Sequence, residues 1–422
     1  MRWYQDKIFW YIFGTLAALK TAAWVYLFFL HPAGENISVF PDSIGYVYPA
    51  QTWLAYGQMW EAISASPMLL RTAGYPFFLA LIQMISGNMT WAVAVAQNVL
   101  SLLLLIPVYL TAQFLSGRAA ARWASIFCAA SVLYFSLSFA ILTEILCTFL
   151  LSWFIFFFIR FLSAPRGITL LAAALCLAAA VYVRPAAYYF LFLSVVMLCC
   201  FRLSNWLRFP LAKIALFFIF PLILAIGAWH YRNAYVSNYT GFTTVGAYNL
   251  YVWNEDYIAK KFNLSVSEAR SRLELALPAG FTSLPPSERV RLYKALAKPI
   301  IQESFLYKLS QAPWWLSKTL LGANNAHLQK LFSFRKPSFL LFVLAEGQVF
   351  LMVILACIGF WFLWKIDRKT TFFLLVYCLY FWLIGSTFSG AYARFRAPFE
   401  FVFCISAGTS ISQLIKKFKN SH

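Results

Sequence analysis

Apolar runs of about 20 residues recur along the whole 422-residue chain, and each is long enough to cross a hydrocarbon core of roughly 30 Å. Because lipid offers no partner for unpaired backbone groups, these crossing segments are expected to be helices. Hydrophobic residues make up 62% of the chain and charged residues 11%. A soluble domain is nearer half apolar and about a quarter charged. The sequence therefore predicts an all-α polytopic membrane protein.

The first apolar run, residues 8–30, is expected to be a span and not a signal peptide. It is longer than a signal h-region, and His31-Pro32-Ala33-Gly34 is a poor cleavage site. About ten transmembrane helices are predicted, over residues 8–30, 91–114, 123–142, 145–163, 168–183, 186–201, 210–229, 338–363, 370–388 and 398–413.

Clusters of Lys and Arg separate these runs, and short cytoplasmic loops collect such residues. The clusters are Arg2 and Lys7; Arg118 and Arg122; Arg160 and Arg166; Arg202, Arg208 and Lys213; Lys365, Arg368 and Lys369; and Lys416, Lys417 and Lys419. Placing all of them inside puts both termini in the cytoplasm. The apolar stretch 76–86 is too short to cross, and counting it as a span would move Arg118 and Arg122 outside. It is therefore predicted to be an interfacial or re-entrant juxtamembrane helix on the outer side.

Three parts follow from this topology. Residues 1–229 form an N-terminal membrane module whose first outer loop is 31–90, residues 230–337 form a large extracytoplasmic loop between spans seven and eight, and residues 338–422 form C-terminal membrane helices. In the large loop, a capping box at Ser265 and Glu268 predicts a helix through Leu275. The Ser-Leu-Pro-Pro sequence at 283–286 predicts the entry to another helix.

The net charge of +20 does not indicate nucleic-acid binding, since the basic clusters are scattered and carry no stacking module. The large loop alone has 14 Lys and Arg against 6 Asp and Glu. This excess fits either a solvated face or attraction to anionic head groups or an anionic substrate. All eight cysteines lie in apolar runs and are interpreted as small buried hydrophobes, not as a disulfide framework.

A few acids and arginines are predicted to converge at the outer boundary of the membrane. Acids at membrane depth are costly and usually face a polar cavity or a partner. Guanidinium groups match phosphate geometry and keep their charge when partly buried, so the set suits an anionic group carried on a lipid. For any one arginine the alternative is a structural ion pair, such as Glu400 with Arg396. The acids are Asp42, Glu144, Glu346 and Glu400, and the arginines are Arg71, Arg184, Arg232, Arg394 and Arg396.

The order of short motifs resembles that of the GT-C glycosyltransferases, in the branch near the lipid A aminoarabinose transferases and the dolichyl-phosphate-mannose protein mannosyltransferases. The motifs are PDSIGYVYPAQ from 41, RTAGYPFFLALIQMISGN from 71, LTEILCTFLL from 142, VRPA from 183, HYRNAYVSNYTGFTTVGAYNLYVWN from 230 and YARFRAPFEFVF from 392. Each motif alone is weak, and the ordered set spans nearly the whole chain. One departure is that Arg71 and Thr72 stand where the aminoarabinose-transferase branch has a glutamate.

The resemblance implies a glycosyltransferase that moves a sugar from a polyprenyl-phosphate donor to a hydroxyl of a glycan, lipid or protein acceptor, with inversion, on the outer face of the cytoplasmic (inner) membrane. Asp42 would be the general base and Glu144 a second acid that orients sugar or acceptor. The donor phosphate would lie on Arg71, Arg184, Arg232, Arg394 and Arg396.

Positioning roles and cofactors are also implied by the resemblance. Tyr46, Tyr75 and Glu400 would position the substrate, although the tyrosines behind Asp42 also suit anchoring at the membrane interface. A divalent metal is not expected to be required, because the glutamate on which such a site would be built is missing. The four histidines are also far apart in sequence.

Other classes of membrane protein remain open at this point. A transporter would be expected to show inverted repeats with broken helices at the midplane, and none is evident. A scaffold would need neither Asp42 nor the arginines. A flippase or polymerase that handles lipid-linked sugars stays close to the favoured function.

Overall fold

The computed structural model describes residues 3–31, 34–62, 66–332, 339–386 and 392–420. These residues are helical almost throughout, and their one β feature is an isolated antiparallel bridge between Trp60 and Pro67. The expected all-α fold is thereby confirmed. In chain order the α-helices are α1 Lys7–Val25, α2 Ile44–Tyr56, α3 Gly74–Ser86, α4 Trp91–Leu103, α5 Leu105–Ser116, α6 Arg118–Ala129, α7 Val132–Leu137, α8 Glu144–Ser163, α9 Gly167–Val183, α10 Tyr188–Leu203, α11 Leu211–Ile214, α12 Phe220–Ser237, α13 Val245–Val252, α14 Glu255–Phe262, α15 Val266–Leu275, α16 Pro286–Glu303, α17 Phe305–Leu321, α18 Asn325–Phe332, α19 Phe339–Ile366, α20 Arg368–Gly385 and α21 Ala397–Asn420.

Seven helices among the described residues are long and apolar enough to cross a membrane, so the chain is a multi-pass membrane protein. Several of them join neighbouring α, 3-10 and π segments into one continuous helix. They are Lys7–Leu30, Trp91–Ser116, Glu144–Ser163, Pro185–Leu203, Leu211–Ser237, Phe339–Ile366 and Ala393–Asn420. Each corresponds to one of the ten predicted spans.

The other three predicted spans do not meet the same criterion of length and hydropathy. The 168–183 span is the apolar helix α9, which has 17 residues. The 370–388 span is α20, which starts on Arg368 and Lys369, and the predicted end at 387–388 lies outside the described residues. The 123–142 span was wrong as a single helix, because the chain breaks after Ala129 and again after Leu137.

The break after Ala129 has a local cause. Ser131 adopts extended backbone angles, and its hydroxyl accepts a hydrogen bond from the Tyr134 amide at 3.1 Å, which starts the short helix α7. The same hydroxyl donates to the buried carboxylate of Glu400 on α21. An N-cap serine and a buried acid therefore end one helix and start the next inside the bundle.

Contacts at the helix ends sort the bundle into two ends. At one end the start of α1 meets the start of α6, where Arg122 pairs with Asp6 at 2.9 Å. At that same end Lys369, at the start of α20, donates to the Trp206 carbonyl after α10 at 3.3 Å. All the basic clusters between spans lie on the segments that turn at this end. We call it the basic end, and the other the site end.

Two short helices of the first loop cover the site end. The apolar helix α3 has 13 residues, in agreement with the prediction that 76–86 is too short to cross. It approaches the end of α9 so closely that a Cβ on Gly74 would lie 2.7 Å from the Tyr182 carbonyl group. Glycine at this position therefore sets how tightly the loop packs onto the bundle.

The large loop folds into a small helical unit on the site end. The Ser265–Glu268 capping box is present at the start of α15, and α16 begins at Pro286, so both predicted helix starts are confirmed. Tyr251, Leu273 and Ala297 belong to the small hydrophobic core of this unit. Residues 333–337 of the predicted loop lie outside the described residues.

A buried ion pair fixes the start of the last helix. Arg396 is fully buried and its Nε donates to the Glu400 carboxylate at 2.7 Å. Its Nη1 donates to the carbonyls of Thr319, Leu320 and Gly322 at 3.2, 2.9 and 2.8 Å. One guanidinium therefore ties α21 to the end of α17. We call this arrangement the Arg396 anchor.

Residues 267 and 204 are expected to face opposite sides of the membrane, since α15 lies at the site end and the loop after α10 at the basic end. In a variant whose eight cysteines are replaced, a Ser267→Cys protein should react with an impermeant maleimide from outside intact cells. The matched Ser204→Cys protein should react only after the membrane is opened. Labelling of both from the same side would contradict the two-ended arrangement.

Removing the Arg396 side chain should destabilise the fold, because the Glu400 carboxylate would then be buried without its cation. Breaking a buried ion pair typically lowers the free energy of unfolding by about 3–5 kcal/mol. We expect Arg396→Met to do so in an SDS titration of the purified protein. The exposed Arg368→Met is the control and should stay within about 0.5 kcal/mol of the parent protein. Equal effects of the two substitutions would show that Arg396 does not anchor the helix.

Candidate active site

Five side chains of alternating charge form a chain at the site end. Asp42 accepts from Arg71 Nη2 at 3.1 Å through one carboxylate oxygen and from Arg394 Nη2 at 2.6 Å through the other. Glu144 is bound by Arg184 Nη1 at 2.8 Å, and Arg394 Nε lies 3.8 Å from the same oxygen. We call these five residues, in the order Arg71–Asp42–Arg394–Glu144–Arg184, the ion chain. Three cations and two anions leave it with a net charge of +1.

Each member of the ion chain comes from a different helix end. Asp42 lies in the turn before α2, and Arg71 precedes α3. Glu144 is the first residue of α8, and Arg184 ends α9. Arg394 lies in the 3-10 turn that leads into α21, two residues before the Arg396 anchor. The fold therefore brings together residues that lie up to 352 positions apart.

The two acids of the ion chain differ in their surroundings. The Asp42 side chain is 35% exposed, whereas that of Glu144 is 2% exposed. Burial alone would raise the pKa of the Asp42 carboxyl, but the Arg394 and Arg71 guanidinium groups outweigh it and lower that pKa below its ordinary value of 3.8. Asp42 is therefore ionised at neutral pH, and it is the acid that a substrate can reach.

Neighbouring side chains hold the arginines in place. The guanidinium of Arg71 lies 4.8 Å from the centroid of the Tyr46 ring. Those of Arg184 and Arg394 lie 5.1 and 5.3 Å from the Phe395 ring. An aromatic face attracts a cation without using its N–H groups. The rings therefore orient the three guanidinium groups and leave their N–H groups available for hydrogen bonds.

Sequence reasoning missed two contributors to this arrangement. Thr143 accepts from Arg184 at 3.1 Å and its hydroxyl lies 3.4 Å from Glu144 Oε2, so it links the two residues. Phe395 is the ring shared by two arginines. Both are adjacent in sequence to predicted site residues, which is the one signal that points to them.

Two residues that were predicted to position substrate lie beneath the ion chain. Tyr46 is buried and its ring packs edge-on against Tyr75, with centroids 5.2 Å apart. Tyr75 is fully buried and its hydroxyl donates to Gln97 at 3.3 Å. This placement supports Arg71 from below and argues against a direct contact of Tyr75 with substrate.

Three further predicted residues lie outside the ion chain. Arg396 and Glu400 form the buried Arg396 anchor, so the structural ion pair considered as the alternative describes them better than a phosphate or substrate contact. Arg232 donates to the Met68 carbonyl at 2.7 Å and to Asn233 at 3.1 Å. It therefore supports the segment before Arg71 and does not join the cluster.

The fourth boundary acid, Glu346, is also engaged elsewhere. Its carboxylate accepts from the Ala323 amide at 3.1 Å and from the Asn325 side chain at 2.8 Å. It thus holds the turn between α17 and α18.

The chemistry of the site does not suit a divalent cation. Asp42 and Glu144 are both bound by guanidinium groups, whose positive charge opposes a metal ion beside them. Within the described residues no group of three or more His, Cys, Asp or Glu side chains is arranged to hold a metal. The expectation that none is required stays a prediction.

Part of the chain, which includes Arg71, Glu144 and Arg184 of the ion chain, matches a known family model. Residues 71–229 match the family described as dolichyl-phosphate-mannose-protein mannosyltransferase. No curated protein sequence matches the chain.

Two of the solved structures named below share the fold at low sequence identity, and the third has a TM-score under 0.5. The oligosaccharyltransferase of Archaeoglobus fulgidus tethered to an acceptor peptide matches with a TM-score of 0.55 at 14% identity, over 98% of this chain and 50% of that one. Archaeal oligosaccharyltransferase AglB from the same organism, in complex with an inhibitory peptide and a dolichol-phosphate, gives 0.51 at 12% identity, over 100% and 52%. ArnT from Cupriavidus metallidurans bound to undecaprenyl phosphate gives 0.42 at 13% identity, over 95% and 77%.

The chain thus spans about half the length of the oligosaccharyltransferases, of which it covers 50% and 52%. Its resemblance to the GT-C glycosyltransferases is confirmed, by the family model over residues 71–229 and by the fold over the described chain.

Proposed function

We propose that the protein is an integral membrane glycosyltransferase that transfers a sugar from a polyprenyl-phosphate donor to an acceptor hydroxyl, with inversion, on the outer face of the cytoplasmic membrane. The observation that carries this proposal is the ion chain. It places a partly exposed carboxylate and three arginines at one end of a membrane-spanning bundle. A lipid-linked phosphate enters such a site from the bilayer with its charge at the boundary.

The arginines suit the leaving group. As the bond between the anomeric carbon and the phosphate oxygen breaks, its electron pair stays on the phosphate, which gains negative charge. Preorganised guanidinium groups stabilise that charge more in the transition state than in the ground state. The ion chain carries a net charge of +1. A phosphate anion can therefore bind while Asp42 and Glu144 both stay ionised.

Asp42 suits the general base. The acceptor hydroxyl attacks the anomeric carbon from the face opposite the phosphate, and its proton passes to the Asp42 carboxylate. While both guanidinium partners are bound, the lowered pKa makes Asp42 a weak base. The donor phosphate competes for Arg394, and an Asp42 that loses this partner becomes more basic. Donor binding therefore prepares the base for the acceptor.

Glu144 suits orientation and not proton transfer. It is buried and pairs directly with Arg184. Thr143 forms a second link, since its hydroxyl accepts from Arg184 and donates to Glu144. A carboxylate held this way fixes the positions of Arg184 and Arg394, which are the groups aimed at phosphate.

Asp42→Asn should lower transfer by about 10²–10⁴-fold, as is typical of losing a general base. It should not weaken binding of undecaprenyl phosphate, because removal of the carboxylate frees Arg71 and Arg394. The measurements are sugar release from radiolabelled undecaprenyl-phosphate hexoses and pentoses with a membrane lipid and glycan extract as acceptor, and undecaprenyl-phosphate binding by the same purified variants. Asp42→Glu is the control for charge. Near-normal turnover by Asp42→Asn would exclude the base assignment.

Arg394→Ala should weaken binding of undecaprenyl phosphate by roughly 10- to 100-fold, as expected for the loss of a charge-assisted contact of about 1.5–3 kcal/mol. Arg394→Lys should restore it only in part, because an ammonium cannot reproduce the guanidinium fork. Arg160→Ala is the matched control, because Arg160 lies in the last turn of α8 at the basic end. This variant should bind undecaprenyl phosphate with the affinity of the parent protein. Equal affinity of the Arg394 and Arg160 variants would assign Arg394 to structure.

A further inference from the structure

Phe40, two residues before Asp42, is contacted by two side chains of helix α18. The His327 imidazole stacks on the Phe40 ring with centroids 4.1 Å apart and planes 21° apart. The Lys330 ammonium lies 4.1 Å from the same ring centroid and donates to the Val39 carbonyl. A single short helix from the large loop therefore lies against the turn that carries Asp42.

Backbone and side-chain hydrogen bonds join Phe40 and Ser43 into one closed turn around Asp42. The Ser43 hydroxyl accepts from the Phe40 amide at 2.9 Å and donates to the Ile141 carbonyl at 2.9 Å. The Ser43 amide in turn donates to the Phe40 carbonyl at 2.8 Å. Asp42 lies inside this closed turn, so a displacement of the Phe40 ring moves the carboxylate with it.

Helix α18 is itself fixed at its start. Asn324 adopts a left-handed conformation with φ of 62° and donates to Ser136 at 3.2 Å. The neighbouring Ala323 and Asn325 both bind Glu346, as described above. The helix is therefore connected to α7 and α19, and it presents His327 from a rigid support.

His327 contributes through its ring and not through charge. It is 8% exposed, and within the described residues its Nδ1 has no hydrogen-bond partner. Burial and the nearby Arg394 guanidinium lower the pKa of His327 to about 4. The imidazole is therefore neutral at pH 7 and does not compete with the arginines for Asp42.

We propose that His327 is a positioning residue, which holds the Asp42 carboxylate in place for transfer by stacking on Phe40. This proposal rests on the proposed transferase function. The side-chain partners of Asp42 are long arginines that a phosphate can displace. The stack is independent of them, so it keeps the carboxylate in place when Arg394 turns to the donor.

The test compares His327→Ala with His327→Phe, which keeps a flat ring and removes both nitrogens. His327→Ala should lower kcat by about 10- to 100-fold, the order expected when a catalytic group is misplaced by about 1 Å. Its affinity for undecaprenyl phosphate should stay within about twofold of the parent, because no arginine is removed. His327→Phe should restore kcat. A His327→Phe protein as inactive as His327→Ala would overturn the proposal, because it would show that the ring nitrogens are required.

A readout without activity separates this proposal from the proposed function. With 4-fluorophenylalanine at position 40, the fluorine resonance should shift in His327→Ala and should remain close to the parent value in His327→Phe. An unchanged resonance in His327→Ala would contradict the stack. If the parent protein transfers no sugar and its fluorine resonance still differs from that of His327→Ala, the proposed function is contradicted and the contact between His327 and Phe40 stands.

Discussion

The buried Arg396–Glu400 pair is the contact on which the rest of the site depends. A fully buried guanidinium is tolerated when its charge is paired and most of its donors are used. Here Nε binds one carboxylate and Nη1 faces three carbonyls, while Nη2 has no hydrogen-bond partner among the described residues. Glu400 also receives the Ser131 hydroxyl, so the pair connects α21, the end of α17 and the start of α7. Arg394 lies two residues before this anchor, and its position over both acids follows from it.

The two halves of the ion chain differ in burial. Glu144 and Arg184 form its closed half, where pairing and a threonine bridge fix both groups. Asp42 and Arg71 form its open half, where the carboxylate is one-third exposed. Arg394 belongs to both halves. In the proposed reaction, a phosphate that draws Arg394 away would lower the positive charge around Asp42, while Glu144 would keep its contacts with Arg184 and Thr143. A single side chain would then couple phosphate binding to the strength of the base.

Much of this arrangement could be predicted from the sequence. The signals that indicate a membrane span, its hydropathy and the Lys and Arg clusters beside it, each combine many residues, so no single residue decides the prediction. They predicted the seven spans found among the described residues, and five of the nine acids and arginines expected at one boundary of the membrane meet in the ion chain. The roles of individual residues were harder to predict. Arg394 and Arg396 are two positions apart and chemically identical, and only packing shows that one faces the site and the other anchors a helix. Ser131 breaks a predicted span because of a partner 269 residues away, which no local pattern contains.

The broken crossing between α6 and α8 also limits how a long isoprenoid tail can approach. Irregular backbone at membrane depth is tolerated only where protein covers it. Nearly every side chain from Ser131 to Ile145 is buried, and the segment is enclosed by neighbouring helices. No acyl or isoprenoid chain can therefore lie along this segment. In the proposed function, the tail of a donor bound at the arginines would therefore leave the site along another path. The buried segment ends at Glu144, whose side chain is itself buried.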